Sequence, residues 1–411
     1  MFGFQYQWRP LERLISVEDY RRRAKRRVPR VTWAYVDGGA DDEVTLRENQ
    51  AAFRRLRLRA QVLTGHASRD LSTTVAGVPI DLPILFAPTG LTGLSYWRGD
   101  PAAARAAESR GTRYIVSTAS SWTIEEIARE TQEPPFFQLY PREGDLAARL
   151  MDRAWACGCR VLVLTVDVPV IGNREGERRT GMDRPPVVTP WTLADLARHP
   201  AWTYGVLRHG RISARHMVEQ GGVRAAVESV GIQERSLMQS TLSWDDLSWM
   251  RERWRGKLLV KGILDPDDAR RAIDVGVDGI VVSNHGGRQL DSVPATLDAL
   301  PDIVAVAGGR TEVLLDGGVR RGTDVIKALA LGARAVLIGR PYVYGLMVDG
   351  ERGAGAILDV FREEMDRALT LMGVGSVADL DPSCIARPGT PAVPERMEPV
   401  LESPVRSGSA R

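Results

Sequence analysis

His285 lies in SNHGGRQLD, and Arg288 follows it by three residues on the same glycine-bearing segment. An imidazole takes up a proton near neutral pH, and a planar guanidinium holds a carboxylate through two parallel hydrogen bonds, so the segment carries a base beside an anion clamp. Asp167 closes VLVLTVD and offers a carboxylate that could orient the imidazole or stabilise its charged form. Arg174 in GNREGE offers a second guanidinium, although on its own it reads equally well as a solvated charge in an Arg-rich stretch. Lys261 sits in the apolar run LLVKG, where an ammonium without a partner is costly, which argues against structural filler. Two further segments, DGGVRRG and IGR, combine glycine with arginine. Glycine lets backbone N–H groups approach a phosphate, and a following helix adds a favourable dipole. Tight turns with solvated arginines are the plain alternative.

These groups can act together only if a scaffold brings them to one place. Short β-rich runs recur along the chain: PILFAP (83–88), RYIVST (113–118), FFQLY (136–140), VLVLTVD (161–167), LLVKG (258–262), GIVVSN (279–284), EVLLDGG (312–318) and AVLIGR (335–340). Segments with helical spacing of apolar residues lie between them, such as TIEEIARET and DPDDARRAIDVG, the latter opening on Asp and closing on Gly. Eight β–α units with near-continuous apolar strands predict a parallel sheet closed into a (β/α)8 TIM barrel. An open doubly wound sheet is the competitor, but no GxGxxG follows PILFAP. Barrel chemistry gathers at the C-terminal strand ends. In order, these ends carry Thr89 and Gly90, Ser117, Gln138 and Tyr140, Thr165 and Asp167, Lys261, Ser283 to His285, Asp316 to Arg320, and Gly339 with Arg340. Of the five histidines, only His285 falls at such an end.

The expected organisation is one barrel domain over 1–386, with a helical cap at 11–60, a long loop at 172–243, a last helix within 341–380, and a Pro/Ser/Arg-rich mobile tail at 387–411. A net charge of +3 gives nucleic-acid binding no support. Cys157, Cys159 and Cys384 make no disulfide framework, and the CxC pair has no companions for a zinc site, so no metal is expected. With neither a secretory signal nor a run of apolar residues long enough to span a bilayer, a cytoplasmic location is expected.

In this order, APTG, FFQLY, LTVD, SNHGGRQLD and LLDGGVRRGTDVIKALALGA resemble the FMN-dependent 2-hydroxy acid oxidase and dehydrogenase family, over about residues 15 to 380. The resemblance implies FMN as cofactor and oxidation of a 2-hydroxy acid to a 2-keto acid. It places Ala87, Pro88, Thr89, Ser117, Gln138 and Thr165 against the isoalloxazine, Lys261 beside its N1 edge, and Asp316, Gly318, Arg320, Gly339 and Arg340 around the ribityl and phosphate groups, with Ser283 also at the cofactor. It makes His285 the catalytic base with Asp167 behind it, Arg174 and Arg288 the carboxylate clamp, and Tyr35 and Tyr140 hydrogen-bonding partners of the substrate. Without the resemblance, Tyr35 reads as a core aromatic of the cap.

Two positions bear on substrate size. Ala119 stands where glycolate-type relatives carry Trp, and Gly90 where many oxidases carry Ala, which favours a bulky aromatic acid such as mandelate and leans towards a dehydrogenase. A short-chain lactate or glycolate oxidase using O2 is the alternative. The mandelate dehydrogenases within the family attach to membranes through the segment after the fourth strand, where quinone takes the electrons. The matching stretch here, about 185–215, mixes Trp, Tyr and Leu with Arg and His and fits an interfacial helix at the inner face of the cell membrane or an active-site lid equally. Family barrels often form tetramers, so a homo-oligomer is expected. An FMN-barrel synthase or isomerase has no need of His285, Arg288 and Arg174 together, and a non-enzymatic interaction module leaves the polar rim unexplained.

Overall fold

The computed structural model describes residues 13–140, 145–182, 187–216 and 243–386. The tail expected at 387–411 lies outside the described residues, as do 183–186 and 217–242 of the long loop.

Eight strands form one sheet: β1 Ile84–Phe86, β2 Ile115–Ser117, β3 Phe136–Leu139, β4 Val161–Thr165, β5 Lys257–Ile263, β6 Gly279–Val282, β7 Glu312–Asp316 and β8 Ala335–Ile338. Each pairs in parallel with its sequence neighbour, and β8 returns to β1. A parallel bridge between Phe86 and Tyr114 joins β1 to the start of β2, so the sheet closes into the expected (β/α)8 barrel. The strands are apolar on both faces because both are covered. Inward side chains such as Leu85, Ile115, Val163, Leu259, Val281, Leu314 and Leu337 fill the barrel, while outward ones pack beneath the helices.

The helix Pro266–Val275 shows how local sequence sets its ends. Asp265 accepts hydrogen bonds from the N–H groups of Asp267 and Asp268, proline occupies the first turn, and Gly276 closes the helix with φ of 90°. The last long helix, Arg340–Met372, is interrupted at Asp349 and Gly350, where φ of 54° at the glycine breaks the helical path.

A hairpin that the sequence pattern did not reveal, Thr73–Val75 paired with Val78–Ile80, packs Val75, Ala76 and Ile80 against the barrel interior. Its turn holds both Ala76 and Gly77 at positive φ, as a two-residue hairpin requires. The cap comprises α1 Val17–Lys25, α2 Arg30–Asp37 and α3 Val44–Arg55. Among the described residues, Glu175–Arg179, Pro190–Arg198, Pro200–His209 and Trp244–Arg253 are the helices between β4 and β5.

Candidate active site

A cavity of about 200 Å³, partly open to solvent, occupies the C-terminal mouth of the barrel. Sixteen of the residues singled out from sequence line it: Tyr35, Ala87, Pro88, Thr89, Gly90, Ala119, Tyr140, Arg174, Lys261, His285, Arg288, Asp316, Gly318, Arg320, Gly339 and Arg340. The strand ends converge there because parallel pairing sets Thr165 opposite Lys261 and Ser117 opposite Gln138. Ser117, Gln138, Thr165, Asp167 and Ser283 are not among the lining residues. Of these, Ser117 bonds the Ala119 N–H, Asp167 bonds His285, and Ser283 bonds both His285 and Lys261.

His285 adopts a left-handed backbone, φ 56°, which costs a non-glycine residue on the order of 1 kcal/mol. Its surroundings enforce that conformation. Ser283 Oγ accepts from the His285 N–H at 3.1 Å, and Asp167 Oδ1 lies 3.0 Å from Nδ1. With Nδ1–H bonded to Asp167, Nε2 is the unprotonated nitrogen of the neutral ring. Burial pushes the imidazole below its usual pKa, against the pull of Asp167, so the neutral form prevails at pH 7. Burial opposes the charge on Asp167, but His285 and Lys261 outweigh it and hold the carboxyl below its ordinary value.

Lys261 does have a partner. Its Nζ lies 3.0 Å from Asp316 Oδ2 and donates to Ser283 Oγ at 2.8 Å. Burial works against the ammonium, yet Asp316 and Asp167 lift its pKa above the ordinary value, so it stays charged. Asp316, expected near the ribityl chain, therefore spends one oxygen on the lysine.

Arg174 donates through Nε to Arg288 O and through Nη2 to Gln289 Oε1, both at 3.2 Å. Burial, together with Arg288, pulls its pKa down to about 10. Arg288 donates through Nη1 to Tyr35 O at 2.6 Å and Gly38 O at 3.1 Å, and its guanidinium lies over the Tyr35 ring. The Tyr35 hydroxyl donates to Gly90 O at 3.0 Å. Tyr140 is buried, which pushes its phenol up to about 12 and keeps it a proton donor. Beside it, Leu91, Ala119, Val168 and Ile171 form an apolar patch. Gly90 closes this wall: a Cβ there would stand 2.9 Å from Ala119 Cβ.

Sequence reasoning missed two positioning residues and one charged neighbour of the site. Gln289, inside SNHGGRQLD, donates to Asp167 O and Val170 O and accepts from Gly172 N as well as Arg174, so one side chain shapes the loop after β4. Asn49 on α3 exchanges two 2.8 Å amide hydrogen bonds with Asn284, next to His285. Glu177 accepts from Arg288 Nη2 at 2.8 Å. Only Glu177 left a local trace, an acid three residues after Arg174.

FMN fits the residues present. Gln138 Nε2, Thr165 Oγ1 and Asp316 Oδ1 are buried without a hydrogen-bond partner among the described residues, a costly state that polar edges of a bound ring and chain would relieve. Gly317 and Gly318 both have positive φ, and a Cβ on Gly318 would collide with Asn49 O, so the loop after β7 can take this shape only with glycine. Gly339 caps the helix beginning at Arg340 beside this loop, and the first N–H groups of a helix favour an anion. The Arg340 guanidinium donates to Val36 O, Gly286 O and Gly38 O, which fixes it at the cavity with two of its five N–H groups still able to donate.

Comparison with known proteins agrees with this cavity. The chain is 42% identical over 378 residues to an L-lactate dehydrogenase of Caulobacter vibrioides, covering 90% of this chain and 97% of that one. It is 40% identical over 371 residues to a peroxisomal (S)-2-hydroxyacid oxidase of Arabidopsis thaliana, covering 90% and 96%. A crystal structure of the monotopic membrane protein (S)-mandelate dehydrogenase superposes with a TM-score of 0.87 at 37% identity, covering 91% and 99%. Residues 24–387 match the FMN-dependent dehydrogenase family, and the chain belongs to that family.

Proposed function

We propose that this enzyme, an FMN-dependent 2-hydroxy acid dehydrogenase or oxidase, acts on an (S)-2-hydroxy acid with an aromatic side chain of the mandelate kind. One observation carries the site assignment: His285, backed by Asp167, faces the same cavity as two arginines and a charged lysine. Arg174 and Arg288 hold the substrate carboxylate, and the Tyr35 and Tyr140 hydroxyls orient it. His285 Nε2 takes the proton that leaves the substrate, and Asp167 stabilises the imidazolium that results. Bound FMN would supply the acceptor for the electron pair that leaves the substrate, with an external oxidant needed to complete turnover. Ala87, Pro88, Thr89, Ser117, Gln138 and Thr165 would hold its ring, with Lys261 as a fixed positive charge. Asp316, Gly318, Arg320, Gly339 and Arg340, with the helix that starts there, would hold its chain and phosphate.

His285→Gln is expected to purify yellow, with FMN bound, and to lower the rate of flavin reduction by about 10³ in stopped-flow. A variant reduced at the wild-type rate would remove His285 from the mechanism. The apolar wall beside Gly90 and Ala119 supports the aromatic substrate. The L-lactate dehydrogenases among its relatives favour a shorter acid instead. Anaerobic titration with (S)-mandelate, L-lactate and glycolate separates the two, and bleaching by glycolate but not by mandelate overturns the aromatic assignment.

Residues 185–215 are read as a peripheral membrane contact, placing a quinone within reach as acceptor. The helices Pro190–Arg198 and Pro200–His209 bury no residue, and Trp191, Leu193, Tyr204 and Leu207 are exposed. Arg198 and Arg208 stand in their last turns, suited to anionic headgroups. No described helix is long and apolar enough to cross a membrane.

A further inference from the structure

Glu177 has no part in the chemistry described so far, yet it lines the cavity and only 7% of its side chain is exposed. Its Oε1 accepts from Arg288 Nη2 at 2.8 Å and lies 3.7 Å from Arg174 Nη1. Among the described residues it is the one carboxylate within ion-pair distance of either guanidinium. Two part-buried cations side by side repel each other, and a carboxylate beside them offsets that repulsion.

We propose that Glu177 is the resident counter-ion of the clamp, balancing Arg174 and Arg288 in the empty site and competing with the ligand carboxylate for them. It thereby sets how tightly the hydroxy acid binds and how readily the keto acid leaves. This rests on Arg174 and Arg288 being the carboxylate clamp. Glu177 is not needed to fix their positions, because neutral acceptors do that. Tyr35 O and Gly38 O hold Arg288, while Arg288 O and Gln289 Oε1 hold Arg174. Removing the Glu177 charge therefore changes the field more than the geometry. A unit charge about 5 Å from a ligand charge, at an effective dielectric near 20, alters affinity by more than tenfold.

The test titrates the holoenzyme with phenylacetate, a carboxylate with no hydroxyl to oxidise, and with neutral phenylacetamide, following the visible flavin spectrum. Glu177→Gln is expected to bind phenylacetate at least tenfold more tightly and phenylacetamide within about threefold of wild type, whereas Glu177→Asp, which keeps the charge, stays near wild type. Unchanged or weaker phenylacetate binding by Glu177→Gln overturns the proposal. Arg174→Met tells this failure from that of the clamp itself. If Arg174→Met binds phenylacetate as wild type does, the clamp assignment falls; if it binds weakly while Glu177→Gln is unaltered, only the counter-ion role falls. Should Glu177→Gln lose its FMN on purification, phenylacetate in the buffer is expected to restore it, as an external carboxylate replacing the internal one. Failure to restore it counts against the proposal.

Discussion

The N-terminal cap and the helical pair at 190–209 both border the mouth of the barrel, and they are held there by different means. The cap spends polar groups on the catalytic loop. Tyr35 O and Gly38 O accept from Arg288, Val36 O and Gly38 O from Arg340, the Ala40 N–H donates to Gly287 O, and Asn49 clasps Asn284. The helical pair is attached at few points: Trp202 Nε1 donates to Leu94 O, His209 stacks on Trp97, and Asp195 accepts from the Arg30 N–H at the start of α2. Its root is tighter, with Ser213, Ala214 and His216 buried. Ties to the loop that carries a reacting group favour positioning. An outer surface left apolar and unpacked favours contact with something outside the molecule.

The largest expected effect tests the cap as a positioning device. Asn49→Ala removes both amide bonds to Asn284 and the acceptor of the Thr296 N–H, leaving buried polar groups without partners. At about 1–3 kcal/mol for each such group, the loss of stability should be roughly 3 kcal/mol or more. Because Asn284 precedes His285, flavin reduction should slow more than tenfold even in molecules that retain FMN. Urea unfolding and stopped-flow reduction of the holoenzyme measure the two effects. Normal reduction in a destabilised variant would make the cap a mere cover.

A smaller effect tests the root of the second region. His216 Nε2 accepts from the Ile124 N–H at 3.0 Å, so Nδ1 carries the proton towards Thr118 O, and neither nitrogen can accommodate a second proton. Burial, reinforced by Arg153 against the opposing pull of Glu125, lowers its pKa to about 4. The folded value lies below the unfolded value near 6.5, so the unfolded chain binds the proton first as pH falls. Stability is therefore intact above pH 6.5 and lost below it, by about 2 kcal/mol at pH 5 from this group. His216→Asn should flatten the difference in unfolding free energy between pH 7 and pH 5. An unchanged slope would place the acid sensitivity elsewhere.

The barrel was legible in the sequence because each unit is specified locally. Apolar runs such as VLVLT make covered strands, and DPDDARRAIDVG contains its own start and stop. His285, Lys261 and Asp167 were legible because barrel strands can aim polar residues at only one rim. The hairpin at 73–80 was not, since three-residue strands have no measurable period. Asn49, Glu177 and Gln289 escaped for a different reason: their partners Asn284, Arg288 and Arg174 are 235, 111 and 115 positions away, and no spacing rule links them.

The smallest effect on stability, and the sharpest contrast with Asn49, belongs to the exposed helices. Trp191 and Leu207 are 83% and 76% exposed, so replacing both with serine removes almost no packing and should change the unfolding free energy by no more than about 0.5 kcal/mol. Entry into a bilayer interface is another matter, because each side chain gains roughly 1.5–3 kcal/mol when its apolar surface leaves water. The double variant should therefore partition at least tenfold less onto anionic vesicles, measured by flotation, while anaerobic reduction of its flavin stays at the wild-type rate. Loss of about 2 kcal/mol of stability or of the reduction rate would instead mean that these helices pack as a lid, and the distinction between the two regions would disappear. Equal flotation with intact stability would break it differently, by leaving the apolar face without a membrane to meet.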